Sequence, residues 1–398
     1  MDDKVNSTRL YDEENLDFLM FTSNTAFSRR MLLHTDFQLS IGVVSFESAA
    51  EIYNNMWSNP HPLHKRRLED AWFVFKIMKY VRQFNPWPRN AQKELDIESL
   101  CEQVYAYIRN VIDQKWISHV CSEVGCKERF IVIDGNEKLY RSICNAERSK
   151  IIGVQGNVNK YDLCIRNPIR GNQHISSSKF CIQHAEGKTG EGKQNIDLRP
   201  ITRSFKKDIP PTITSERGCK NEDKVDKFYP RTAGMFYMFR SCGVRLSHWE
   251  MYTAESLSNV FLWMIDLFGE KPLPELLKEV VYDRACDLCP FVNRLANEGS
   301  VIAGNYKDLS YIVDIFHAEK HTMPKCELTS PNCEYHPHLE KFSYVKKMNT
   351  EIAEQSFNKL NPFKYITRKM TYARRLLYFK FLDDFHNSKI TKIDAINQ

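Results

Sequence analysis

Two short apolar runs, each ending in an aspartate, constrain this chain more than any other feature. Phe130-Ile131-Val132-Ile133 leads into Asp134, and Val280-Val281-Tyr282 leads into Asp283. Runs this short, rich in β-branched and aromatic residues, predict buried strands. A carboxylate that follows such a run is presented at the rim of a sheet. Glu351 and Glu354 lie in Asn349–Phe357, which opens a helical segment. Carboxylates from two strand ends and a following helix can converge on one point. Mg²⁺ and Mn²⁺ take oxygen ligands. Two such ions roughly 3.5–4 Å apart stabilise the attacking and leaving oxygens of an in-line phosphoryl displacement.

The order of elements around these residues predicts a fold. After the strand at 130–133 come a turn at Asp134-Gly135-Asn136 and a second strand, Lys138–Arg141. A long polar stretch follows. Regular structure resumes with a strand at Gly234–Phe239 and a partner at Val244–Met251. A helix capped by Thr253 comes next, with Glu255 and Ser256 in its first turn. Then come a strand at Glu279–Tyr282, a helix at Leu288–Asn297, a strand at Tyr311–Phe316 and helix from about Thr350 to Phe385. An antiparallel unit followed by βαβ-type connections is the pattern of a ribonuclease-H-like core. The fold expected is α+β or α/β, a mixed five-stranded sheet with helices. It carries a cysteine-rich, zinc-binding insertion and an N-terminal helical domain.

Residues 1–118 form that helical domain. Arg66–Val81 and Leu95–Ile117 place apolar residues at helical spacing, with a break at Asn85-Pro86-Trp87-Pro88. Residues 119–398 form the core, interrupted by a basic insertion over 145–230, which is too long for a plain loop in a compact domain. Residues 141–240 hold 19 Lys and Arg against 10 Asp and Glu, whereas 1–118 hold 14 against 16. The middle of the chain is therefore the part expected to face a polyanion, with Lys138, Arg141, Arg231 and Arg240 as phosphate contacts. A solvated basic loop is the alternative. No apolar run is long enough to span a membrane, and the charged N-terminus does not read as a signal peptide.

The 12 cysteines read as thiols and metal ligands rather than disulfides. Cys121-x₄-Cys126 has zinc-knuckle spacing, and Cys181-x₂-His184 is the best local zinc signal. Cys164, Cys219 and His174 share the insertion with the latter, and Cys144 follows the predicted second strand. A shared site of Cys164, Cys181 and His184, closed by Cys121, Cys126 or Cys219, would explain how a hydrophilic insertion folds. A second group is His317, His321, Cys326 and Cys333, with His336 and His338 beyond. It is a second zinc site, a surface loop, or a place where His317 serves the carboxylates. Cys286 and Cys289 read as buried thiols.

Several segments in order resemble the Kyakuja–Dileera–Zisupton transposases and their cysteine-cluster relatives. They are Asp134-Gly135-Asn136-Glu137-Lys138 with Cys144, Cys181–His184, Arg231–Gly234, Tyr282–Cys286, Phe316–His321 and Asn349–Gln355. The resemblance spans about residues 120–390. It implies a DDE-type enzyme on a ribonuclease-H-like core that cuts and joins transposon ends. Asp134, Asp283 and Glu354 would be its Mg²⁺- or Mn²⁺-binding triad, with Glu351 contesting the third place. DNA is the partner it implies, with a homodimer compatible and a nuclear or cytoplasmic location. The rival reading is a domesticated, inactive copy that binds DNA or serves as a zinc-dependent scaffold.

Overall fold

The structure, a computed structural model, describes residues 18–22, 25–57, 61–84, 97–141, 160–161, 196–197, 232–251, 255–318 and 334–392. The chain divides into two compact units, residues 1–114 with 362–398, and residues 115–361.

The first unit begins with an antiparallel hairpin, β1 (Phe18–Thr22) and β2 (Thr25–Ser28). Ser28 then caps α1 (Arg29–Ser40), its hydroxyl accepting from the Met31 N–H at 3.2 Å. Helices α2 (Phe46–Trp57), α3 (Lys65–Phe84) and α4 (Ile97–Ile117) follow. The last helix of the chain, Tyr372–Thr391, packs among them. Trp72 of α3 meets Phe46, Phe73, Tyr378 and Phe381 edge-on or tilted, the arrangement aromatic quadrupoles favour. Two polar pairs are buried there: the Tyr80 hydroxyl donates to Asp384 at 2.7 Å, and Lys380 binds Asp113.

The second unit is built on a five-stranded mixed sheet. Its elements are α5 (Val124–Lys127), β3 (Phe130–Asn136), β4 (Gly234–Phe239), β5 (Arg245–Met251), α6 (Leu257–Phe268) and β6 (Glu279–Tyr282). They continue with α7 (Ala285–Asn297), α8 (Val301–Tyr306), β7 (Ser310–Ile312), α9 (Ile315–Ala318) and α10 (Ile352–Leu360). The strand order is β5-β4-β3-β6-β7, antiparallel across the first three and parallel across the last three. β4 and β5 are buried along their whole length, as strands covered on both faces must be.

Three local expectations change. Lys138–Arg141 is not a strand: a turn follows β3, and the antiparallel partner of β3 is β4. The strand expected over Tyr311–Phe316 is shorter, because Asp314 turns the chain into α9 by accepting the Phe316 N–H at 3.0 Å. Ser256, not Thr253, caps α6, accepting from the Asn259 N–H at 3.3 Å.

The insertion over 145–230 lies outside the described residues apart from two two-residue strands, Lys160–Tyr161 and Ile196–Asp197. Its flanks are well defined. The Thr232 N–H donates to the Arg141 carbonyl at 3.0 Å, and the Arg141 N–H donates to the Thr232 hydroxyl at 3.0 Å. The chain therefore leaves and re-enters the sheet at one point. Arg141 is anchored there by a two-pronged pair with Glu250 of β5, Nε to Oε1 and Nη2 to Oε2 both at 2.9 Å, and both side chains are buried. Arg141→Met strands the Glu250 charge, so it is expected to cost about 3–5 kcal/mol in urea unfolding. A loss below about 1 kcal/mol, the scale of an exposed ion pair, would show that the pair does not close this base.

Candidate active site

Strand register decides which side chains meet. β3 and β6 run parallel with Ile133 opposite Tyr282, so the next residues, Asp134 and Asp283, stand at the same level at adjacent strand ends. Asp283 is the first residue past β6, in the turn before α7, and its charge acts on the Asp134 carboxyl. Asp134 also sits opposite Tyr237 of β4, and Tyr237 and Phe239 both pack on Phe357 of α10 at 6.0 and 5.8 Å between ring centroids. Helix α10 therefore lies on the aspartate face. Asn136 at the end of β3 donates to Asn361, the residue that ends α10, at 3.1 Å. Glu354 is three residues before Phe357, so it shares a face of α10 with the ring that seats the helix.

The charges of this group act on one another. The Asp134 carboxyl is pushed well above the usual carboxylate range by burial, then by Glu255, Asp283 and Glu354. The Gly135 N–H, donating to Asp134 Oδ1 at 2.7 Å, opposes that shift. Glu354 is the α10 carboxylate whose charge reaches both Asp134 and His317. Glu351 stands at the N-terminal boundary of α10, exposed to solvent.

Glu255 is the member that sequence reasoning missed. It lies just before α6 and is half-buried, with Oε1 shut from solvent and lacking a hydrogen-bond partner among the described residues. A Cβ on Gly135 would crowd the Glu255 carboxylate, so the absence of a side chain there leaves this carboxylate its place beside Asp134. Burial, and then Asp283, push Glu255 up to about 8, with Arg284 and the Tyr282 hydroxyl pulling the other way. The available signal was Gly135 itself, which read only as a turn residue.

His317 joins from α9. Its Nδ1 meets Asp314 Oδ2 at 2.6 Å, and Asp314 is buried. That hydrogen bond, helped by the charges of Asp314, Asp283 and Glu354 and opposed by burial, holds the imidazole above its ordinary value. Asp314 thus favours the protonated form of His317 beside the carboxylates.

The donor set fits a hard divalent cation. It is all oxygen apart from one imidazole, and it includes a buried carboxylate oxygen, Glu255 Oε1, without a hydrogen-bond partner among the described residues. Cys121 and Cys126 fall elsewhere, with His119 and Cys242, in a group whose ligand atoms all lie within 4.8 Å of one another, a donor set suited to zinc.

The remaining expected residues divide in two. Cys144, Cys164, His174, Cys181, His184, Cys219, Arg231, His321, Cys326 and Cys333 lie outside the described residues. Lys138 is exposed in the turn after β3. Arg141 and Arg240 are fully buried and do not face a polyanion. Arg141 is held by Glu250, and Arg240 donates to the carbonyls of Ile117 and Leu276 at 2.7 and 2.8 Å. Cys286 is half-buried and Cys289 buried, both as free thiols.

Acidic side chains at the ends of parallel strands, joined by one from a late helix, define a carboxylate-centred site on a mixed sheet. Residues 127–388 match the family model described as Kyakuja-Dileera-Zisupton transposase, and the chain belongs to that family. No curated protein and no solved structure matches it.

The shifts set a pH dependence. Glu255 titrates from about 4.5 when unfolded to about 8 when folded, and Asp134 shifts in the same direction. Across that window the folded chain holds protons that the unfolded chain has released, so stability falls as pH rises. One such group contributes a slope of up to about 1.4 kcal/mol per pH unit. Chemical unfolding between pH 5 and 8 without divalent metal should show this fall, and Glu255→Gln should flatten it. An unchanged slope in the variant would mean that Glu255 is not buried among like charges.

Proposed function

We propose that this chain is a DDE-type transposase core, on a ribonuclease-H-like fold, that cleaves and joins DNA strands. The observation that supports the reading is that the charges of Asp283 and Glu354 both act on the buried Asp134 carboxyl, beside the parallel pairing of β3 with β6. The strand order, with β3 central and flanked by an antiparallel hairpin on one side and parallel strands on the other, agrees with such a fold. Family membership agrees with the activity.

Asp134, Asp283 and Glu354 would hold Mg²⁺ or Mn²⁺, which when bound supplies the positive charge that activates an attacking oxygen and steadies a leaving one. The protein's own groups do the rest. The Gly135 N–H fixes the Asp134 carboxylate in one orientation. Glu255 adds a fourth carboxylate from the α6 side, where it can take up a proton from the attacking water or 3′-hydroxyl. His317, whose protonated form Asp314 favours, can bind a phosphate oxygen or return a proton to the leaving 3′-oxygen. Glu354 is exposed and Asp134 and Asp283 are half-buried, so the site opens to a strand laid across the sheet rim. Lys138 would contact the phosphate backbone beside it. The work would take place on nuclear DNA, with two copies of the chain handling two transposon ends.

A second reading is a domesticated copy that binds DNA without cutting it, and family membership accommodates it equally. Asp283→Asn separates the two. The amide keeps the shape and loses the charge, so in the proposed enzyme cleavage with Mg²⁺ or Mn²⁺ falls at least 100-fold (about 2.7 kcal/mol), while salt-sensitive DNA binding persists. Wild-type protein that binds DNA and cleaves with neither metal would establish the second reading. Protein that neither binds nor cleaves would refute both.

A further inference from the structure

A second cluster sits at the other end of β3. His119 and Cys121 lie between α4 and α5, Cys126 is in α5, and Cys242 is in the tight turn between β4 and β5. Because β4 runs antiparallel to β3, that turn stands at the start of β3, away from Asp134. The four ligand atoms lie within 4.8 Å of one another. Two sulfurs bound tetrahedrally to one zinc at about 2.3 Å lie about 3.8 Å apart, so the group has the dimensions of a coordination shell. Cys126 Sγ and Cys242 Sγ are 3.1 Å apart, and both are free thiols, since a disulfide bond is about 2.05 Å.

Three further observations show a built site. His119 interacts with the Cys126 thiol, and its Nε2 is shut from solvent with no oxygen or nitrogen partner among the described residues. The backbone of α5 approaches the β4–β5 turn so closely that a Cβ on Gly125 would lie 2.2 Å from Ser241 Oγ, which brings Cys126 and Cys242 together. Gly243 adopts φ +94°, and its N–H donates to the Arg240 carbonyl at 2.9 Å, fixing the turn that presents Cys242. Arg240, bonded to the carbonyls of Ile117, Phe130 and Leu276, places a fixed positive charge at the same corner, suited to thiolate ligands.

We propose that His119, Cys121, Cys126 and Cys242 form a closed structural zinc site that clamps the β4–β5 turn to the segment leading into β3. Three thiolates and one imidazole fill a tetrahedron and leave no position for water, which separates this site from a catalytic one. The ligand set differs from the one expected for the insertion, and the site stands whether or not the chain cleaves DNA. Each thiol gives up its proton when the metal binds, and the clamp forms with the folded sheet.

The test uses the full chain under reducing conditions. Other cysteines can also bind metal, so the informative quantity is a difference. Cys242→Ser should lose one zinc per chain relative to wild type, and its cobalt-substituted form should lose part of the thiolate-to-cobalt absorption. His119→Cys should keep the zinc with four sulfur ligands. A folded Cys242→Ser variant with unchanged zinc content would overturn the proposal, as would folded, zinc-free wild type with Cys126 and Cys242 joined as a disulfide. Alkylation of wild type covers the case in which Cys242→Ser does not fold. Cys121 and Cys242 are only half-buried, so their protection should depend on metal and vanish with a strong chelator. Equal labelling with and without chelator would refute the site.

Discussion

The parallel pairing of β3 with β6 is the constraint on which the site depends. One register, Ile133 against Tyr282, places Asp134 and Asp283 at adjacent strand ends. A slip of one residue would turn the β3 side chains, Asp134 among them, to the opposite face. The buried strands enforce the register, since Phe130–Ile133 and Val280–Tyr282 are almost wholly removed from water. Hydrophobic burial thereby holds together charges that repel. Burial first, and then the neighbouring carboxylates, raise the Asp134 and Glu255 carboxyls, and a bound cation would offset both effects.

The two ends of β3 are specialised differently. At its C-terminal end, acidic side chains face an open rim, with α10 seated by Phe357 on Tyr237 and Phe239. At its N-terminal end, Arg240 and the cysteine–histidine group draw α5, the β4–β5 turn and the end of α4 to one corner. Oxygen donors gather at one end and sulfur donors at the other, so hard and soft metals would be sorted by chemistry rather than by distance. Rigid support at the far end of a strand suits a near end that gathers like charges.

The strands and most helices were legible because their apolar runs and helical spacing are local features. Asp134 and Asp283 were legible because each follows such a run. Glu255 was not, since nothing in Glu255-Ser256-Leu257 distinguishes a site carboxylate from one beside a helix start, and its place depends on Gly135 being small. His119 and Cys242 were not legible either. Cys242 meets Cys126 across 116 residues, a pairing that only the folded hairpin creates. Arg141 and Arg240 misled for the opposite reason. Their positions within a basic stretch suggested a surface, whereas Glu250 and three backbone carbonyls supply the partners that let each be buried.

The central claim is that these carboxylates form a binding site for a divalent cation. Calorimetric titration of the zinc-replete chain with Mn²⁺, repeated in two buffers of different ionisation enthalpy at pH 7, tests it directly. The account predicts saturable binding with net proton release, because Glu255, pushed up to about 8, holds a proton at pH 7 that the cation displaces. It also predicts that Asp134→Asn and Asp283→Asn each abolish the binding while the fold remains. Absence of Mn²⁺ binding to the folded wild type, or binding unchanged in both variants, would contradict it.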